Sequence, residues 1–323
     1  MNTPWEQCLK FRRLALGVFI LFFLVIAAGV SVRVLGAGMG CPDWPTCYGR
    51  LIPPLREADL PPDYRQRYAV GGRLAEPFDP LKTWVEYINR LLSVLAGLGV
   101  ILLVGYSWWR MRAFRRLLIY VSLIPLLLIV QAIVGWRVVA SYLAEHVITI
   151  HMFLSILLTL STLLAWAHSL SLQERPLMGE WRFYEVLGWL SWVLLLVQLF
   201  LGSLVRSAIT EEGAEIGLQR EVFLFHRSFS WVVLASWAYF QWRLYREPAR
   251  HPLARRWALW TMVALIVQVI LGAIMGYLWF KPLLQVLHLV VAIFAVNSGF
   301  ISLYFLRNAS YAGSYKSLSA LSI

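Results

Sequence analysis

LALGVFILFFLVIAAGVSVRVL, residues 14–35, decides the fold class. The run carries no charge before Arg33. About 20 consecutive apolar residues are enough to cross a bilayer as a helix. Inside lipid every backbone N–H and C=O must be bonded internally, which leaves only helices and closed barrels. Barrel strands alternate between lipid-facing and lumen-facing residues, and this stretch does not alternate. Lys10, Arg12 and Arg13 precede it, as in the n-region of a secretory signal. The run is longer than an h-region of about 7–15 residues, however, and no A-x-A site follows. Gly38-Met39-Gly40 makes a poor lipoprotein site before Cys41. The segment reads as a retained helix.

Runs of the same kind recur to the end of the chain. The predicted spans are 14–35, 85–107, 117–140, 146–168, 184–206, 222–243, 256–278 and 282–305. Composition agrees: 60% of residues are hydrophobic and 14% charged, where a soluble chain carries roughly 25% charge. The net charge of +12 does not argue for nucleic acid as a partner, because no basic stripe lies on a soluble domain. Basic residues fall between alternate spans: Arg110, Arg112, Arg115 and Arg116; Arg175 and Arg182; Arg243, Arg246, Arg250, Arg255 and Arg256; Arg307 and Lys316. The positive-inside rule then puts both termini in the cytoplasm. The long segment 36–84 belongs outside, because Glu57, Asp59, Asp63, Glu76 and Asp79 nearly balance its basic residues. Trp84 and Tyr87, Trp108 and Trp109, Trp257 and Trp260, and Tyr277 and Trp279 cluster at span ends, as interfacial anchors do.

The chain repeats itself. Asn89-Arg90 is matched by His226-Arg227, Gln131…Gly135 by Gln268…Gly272, and His151 by His288, all at an offset of 137 residues. Gln198…Gly202 with Val205-Arg206 echoes Gly29…Val32-Arg33. The outer loop after the first span is longer in the first half by 36 residues. Four spans per half is an even number, so both halves face the same way, related by an axis along the membrane normal. The predicted fold is an all-α membrane protein of eight transmembrane helices, arranged as two pseudo-symmetric four-helix bundles with both termini cytoplasmic. The predicted division is 1–172 and 173–323.

Three of the six histidines, His151, His226 and His288, lie inside spans. His168 and His251 sit in or beside cytoplasmic loops, and His146 at the outer start of span four. An ionisable group in a span is costly to place and marks function by default; the alternative is a neutral imidazole bonded to a neighbouring helix. His226 and His288 sit at nearly the same depth, near the outer surface. Facing helices of a bundle present cofactor ligands across the core in this way, and two imidazoles suit a six-coordinate haem iron. Zinc would need three or four ligands, and no Cys or carboxylate accompanies the pair within the span. The first half offers Asn89 and His151 at the equivalent places. Asparagine is a poor iron ligand, so either a haem there has an open axial face, as oxygen chemistry requires, or the first half holds none.

Glu86 lies one helical turn before Asn89, and its counterpart in the second half is Phe223. It is placed to accept a proton or polarise a substrate at the open face, or to pair with Arg90. Arg33, Arg90, Arg206 and Arg227 cluster at outer span ends. They match haem propionates bidentately or serve as orientation anchors. Cys41 and Cys47 close Cys-Pro-Asp-Trp-Pro-Thr-Cys in the outer loop. Five intervening residues with two prolines permit a tight loop, and an oxidising compartment favours a disulfide, structural or labile. Cys8 is cytoplasmic and inert.

With these residues in view, the chain resembles the haem A synthase family of bacteria and mitochondria over nearly its full length. The resemblance rests on Gly-Cys-Pro-Asp-Trp-Pro-Thr-Cys (40–47), Glu-Tyr-Ile-Asn-Arg (86–90), Phe-His-Arg (225–227), the repeated Gln-x-x-x-Gly and the late histidines. It implies eight spans, a haem b in the C-terminal half held by His226 and His288, and haem O handled in the N-terminal half. The implied reaction is stepwise oxidation of a porphyrin methyl group to a formyl group, giving haem A for cytochrome oxidase. It also implies a Cys41–Cys47 disulfide and a span-two glutamate, Glu86, needed for activity. Expected partners are haem O, haem O synthase and cytochrome oxidase assembly factors, in the cell inner membrane. The family pattern in span two is Glu-x-x-His-Arg, and Asn89 departs from it. It marks either a variant with a five-coordinate substrate haem or a paralogue without activity; Glu86, His151 and both cysteines favour the variant. Two other classes stand beside this one. A membrane b-type cytochrome would pass electrons and leave porphyrin chemistry unchanged. A transporter would share the internal repeat, but no span has a Gly/Pro-broken centre and Pro125 alone is mid-span.

Overall fold

The computed structural model describes residues 4–171, 182–212, 220–246 and 252–319. Arg175, Arg250 and His251 lie outside the described residues, as does the predicted division at 172. The regular structure of the described residues is helical, with two isolated bridges, Cys47↔Arg50 and Val70↔Arg73, and no strand. The long helices are α1 (Pro4–Val34), α2 (Pro80–Arg110), α3 (Arg115–Ala140), α4 (Glu145–Ser171), α5 (Arg182–Glu212), α6 (Glu221–Tyr245), α7 (Pro252–Tyr277) and α8 (Pro282–Ser319). All but α6 are long and apolar enough to cross a membrane, seven among the described residues. Helix α6 falls short because His226, Arg227, Gln241 and Arg243 interrupt a stretch rich in Ser, Trp and Tyr.

Several helices outrun the predicted spans. Helix α2 starts at Pro80, five residues early, because Asp79 caps it: its carboxylate accepts the Lys82 N–H at 3.1 Å, and Pro80 suits the first turn, where a missing N–H costs nothing. Helix α3 carries Pro125 in its interior yet stays continuous.

The chain divides into two compact units, Met1–Ala165 and Trp166–Ile323. In the first, α1 packs on α2 and α2 on α3. A Cβ at Gly99 would stand 3.2 Å from Val18 and 3.4 Å from Leu21, so α1 and α2 approach closely there, as small residues allow between membrane helices. In the second unit α5 packs on α6, α6 on α7, α7 on α8 and α8 back on α5, closing a ring. Its core holds Trp237, Phe240, Ile293 and Ile301, all buried. Outward-facing Ile101, Leu102, Leu126 and Ile270 are exposed, as side chains that meet acyl chains must be.

The segment between α1 and α2 has a core of its own. Cys41, Cys47, Tyr48, Leu60 and Tyr64 are buried together, with Tyr68, Phe78 and Tyr87 packed against them. The Tyr48 ring meets Tyr64, Tyr68 and Phe78 edge-to-face, the arrangement that ring quadrupoles favour. Burial, reinforced by neighbouring Tyr64 and Glu86, pushes the Tyr48 hydroxyl up to about 12, so it stays protonated. The loop is thus a folded element with a fixed shape, able to position whatever it touches on α2.

Candidate functional site

The three span histidines share one local construction. Gln198 on α5 donates from Nε2 to the backbone carbonyl of His226 on α6 at 3.1 Å. Gln268 on α7 does the same to His288 on α8 at 2.5 Å, and Gln131 on α3 to His151 on α4 at 3.2 Å. One turn after each glutamine comes a glycine. A Cβ there would stand 3.2 Å from the His226 ring at Gly202, 3.5 Å from His288 at Gly272 and 3.1 Å from His151 at Gly135. The Gln-x-x-x-Gly repeat therefore has a physical meaning. Glutamine ties one helix to the backbone of the next, and glycine clears the space its imidazole occupies. The fourth instance is incomplete: a Cβ at Gly29 would stand 3.6 Å from Asn89 Oδ1, and Val25 stands where the glutamine would be.

All three imidazoles are half-buried, and the Nδ1 atom of each is buried without a hydrogen-bond partner, as is Oδ1 of Asn89. Buried polar atoms are nearly always satisfied, so each position fits a group not supplied by the protein. His226 and His288 are close enough to interact electrostatically. Among the described residues no group of three or more His, Cys, Asp or Glu could hold a metal ion. His168 is accounted for by Tyr304, whose hydroxyl lies 2.9 Å from its Nδ1, and His146 is exposed.

Glu86 is buried on α2. Its Oε1 accepts from Arg90 at 2.5 Å and its Oε2 accepts the Cys41 N–H at 2.8 Å. The sulfurs of Cys41 and Cys47 are at bonding distance, 2.04 Å, and both cysteines are buried. Arg90 also donates to the carbonyls of Cys41 at 2.6 Å, Asp43 at 2.5 Å and Thr46 at 2.9 Å. Of the other cationic candidates, Arg33 pairs with Glu145, Arg206 reaches Gln285 at 3.0 Å, and Arg227, on an exposed face, reaches the Tyr277 hydroxyl at 2.6 Å. The Arg33 and Arg206 contacts each join the first helix of a unit to its fourth, α1 to α4 and α5 to α8. Sequence reasoning missed Glu145, Asp43 and the role of the glutamines; for the last, the repeat itself was the signal.

Comparison with known proteins follows the same lines. The model of the COX15-CtaA family, "Cytochrome oxidase assembly protein", matches residues 12–211 and 213–298. A "Heme A synthase" of Bartonella quintana is 26% identical over 204 residues, 58% of this chain and 55% of that protein. One of Methylorubrum populi is 32% identical over 207 residues, 58% of this chain and 52% of the relative. One of Shewanella oneidensis is 36% identical over 80 residues, a quarter of this chain and 22% of that protein. The chain spans about half the length of the first two of these relatives.

Proposed function

Since the chain belongs to the COX15-CtaA family of cytochrome oxidase assembly proteins, we propose that it is a haem A synthase, oxidising a methyl group of haem O to a formyl group. The observation that carries this reading is the threefold Gln–Gly–His construction, each imidazole with a buried ring nitrogen left unsatisfied. His226 and His288 would hold a haem b in the second unit, with Arg227 free to turn from Tyr277 towards a propionate. Such a haem, held by two imidazoles, would supply one-electron transfer.

The substrate haem O belongs in the first unit, on His151. Asn89 offers no strong iron ligand, so a haem on His151 would keep one side open for oxidation. Glu86, one turn before Asn89, supplies the carboxylate for proton transfer there. Helix α6 is the eighth span, held in the membrane by its partners in the ring. Both termini are cytoplasmic, and the oxidised Cys41–Cys47 pair lies on the outer face of the cell inner membrane. Haem O synthase and cytochrome oxidase assembly factors are the proteins from which substrate would come and to which product would go.

A b-type cytochrome that only passes electrons shares the His226–His288 site. What favours that second reading is Asn89, which stands in the first unit where the repeat has His226 in the second. The haem site itself is tested by His226→Ala and His288→Ala, with the purified protein read by its pyridine haemochrome. Each substitution is expected to abolish the haem b signal. Full haem content in either variant contradicts the assignment.

A further inference from the structure

The outer loop between Cys41 and Cys47 is docked on the first turns of α2, and it meets the helix through its own backbone. Thr83 donates from Oγ1 to the Gly40 carbonyl at 3.0 Å. A Cβ at Gly40 would lie 2.6 Å from the Lys82 carbonyl oxygen and 2.8 Å from the Thr83 nitrogen, so only glycine lets the loop come so near. Asp43 holds the loop in shape from within. Its carboxylate accepts from the Thr46 hydroxyl, from the Tyr48 N–H at 2.5 Å and from the Gly49 N–H at 2.8 Å. The result is that three carbonyls, of Cys41, Asp43 and Thr46, converge on one guanidinium, that of Arg90.

We propose that Arg90 is a positioning residue: seated in the carbonyl socket of the Cys41–Cys47 loop, it fixes the carboxylate of Glu86 and does not bind a haem propionate. Its Nη1 and Nη2 are engaged by the loop and by Glu86, and its side chain is 15% exposed. A planar fork of donors serves several acceptors at once, which a lysine cannot do. Glu86 in turn is gripped from both sides, by Arg90 at one oxygen and by the Cys41 N–H at the other. The cysteine pair therefore acts on Glu86 through geometry: it closes the loop that makes the socket. Both cysteines are at most 1% exposed, so the bridge is shielded from an external thiol while the socket is filled. Arg227, the counterpart of Arg90, donates instead to the Tyr277 hydroxyl, and the outer segment of the second half carries no cysteine pair.

The experiment compares Arg90→Lys and Arg90→Gln in the full-length protein. One readout is the rate at which a water-soluble phosphine reduces the Cys41–Cys47 bridge, followed by maleimide gel shift; the other is kcat and KM for haem O. Loss of the socket bonds is expected to speed reduction about tenfold or more in both variants. It is also expected to lower kcat with KM for haem O unchanged, since Glu86 loses its orientation while binding groups remain. Reduction at the wild-type rate overturns the proposal, as does a raised KM with kcat retained, or an Arg90→Lys variant that behaves as wild type. The last two would mark a propionate ligand. If either variant loses its haem b band and so fails to fold, Asp43→Asn replaces it. That change loosens the loop and leaves the Arg90 side chain unaltered, and the same faster reduction is expected; an unchanged rate overturns the proposal. The kinetic arm rests on the haem A synthase reading, whereas the reduction arm does not, so failure of one is distinguishable from failure of the other.

Discussion

Gly135, Gly202 and Gly272 each leave room for one imidazole, but not the same room. A methyl at Gly202 would stand 3.2 Å from the His226 ring, so the ring must shift by a few tenths of an ångström; at Gly272 the distance is 3.5 Å, an ordinary contact. Overpacking of the first kind costs about 1–3 kcal/mol. Gly202→Ala is therefore expected to lower the haem retained per protein, read from the Soret band, several-fold, while Gly272→Ala retains it. The reverse order would contradict the assignment of these glycines. The histidines were legible in the sequence because an ionisable residue in an apolar run stands out. The glycines were legible only as a repeat, since a contact between a ring and a backbone on another helix leaves no local mark. Arg90 was legible as a charge seeking a partner; carbonyl acceptors 44 to 49 residues earlier in the chain have no side-chain signature, so its destination was not.

Between elements, the glutamines are the ties. Each joins neighbouring helices by a hydrogen bond to the carbonyl at the histidine position. Polar contacts between membrane helices contribute about 0.6 kcal/mol on average and up to about 1.7. Gln268→Leu, which keeps the apolar volume and removes the bond, is expected to lower the midpoint of thermal unfolding in detergent by a few degrees. An unchanged midpoint would mean that the bond to the His288 carbonyl is made equally well in the unfolded reference state. Most helices were legible from apolar length alone. Their ends were not, because capping decides them: α2 begins where Asp79 caps it, ahead of its apolar window, and α8 runs to Ser319 through a polar tail. Helix α6 shows the opposite weakness of hydropathy. Two of the residues that lower it, His226 and Arg227, are among those singled out for function.

At the scale of the whole chain, duplication was the most legible feature, and the structure gives it content. Each unit carries its own glutamine–histidine tie and its own arginine contact between its first and fourth helices. The units differ where the sequence differs. The first has Asn89 for histidine, Val25 for glutamine, Glu86 for phenylalanine, and an outer loop folded onto α2. That docking was not legible, because nothing in the loop's composition says which helix turn it covers. On the proposed function that asymmetry would divide the labour, the second unit holding a redox haem and the first taking the substrate. The most direct test is chromatography with mass spectrometry of the haem extracted from membranes of cells that make haem O and express this chain. The account predicts haem A in that extract. An extract holding only haem O and haem B, from protein that retains its own haem, would contradict it.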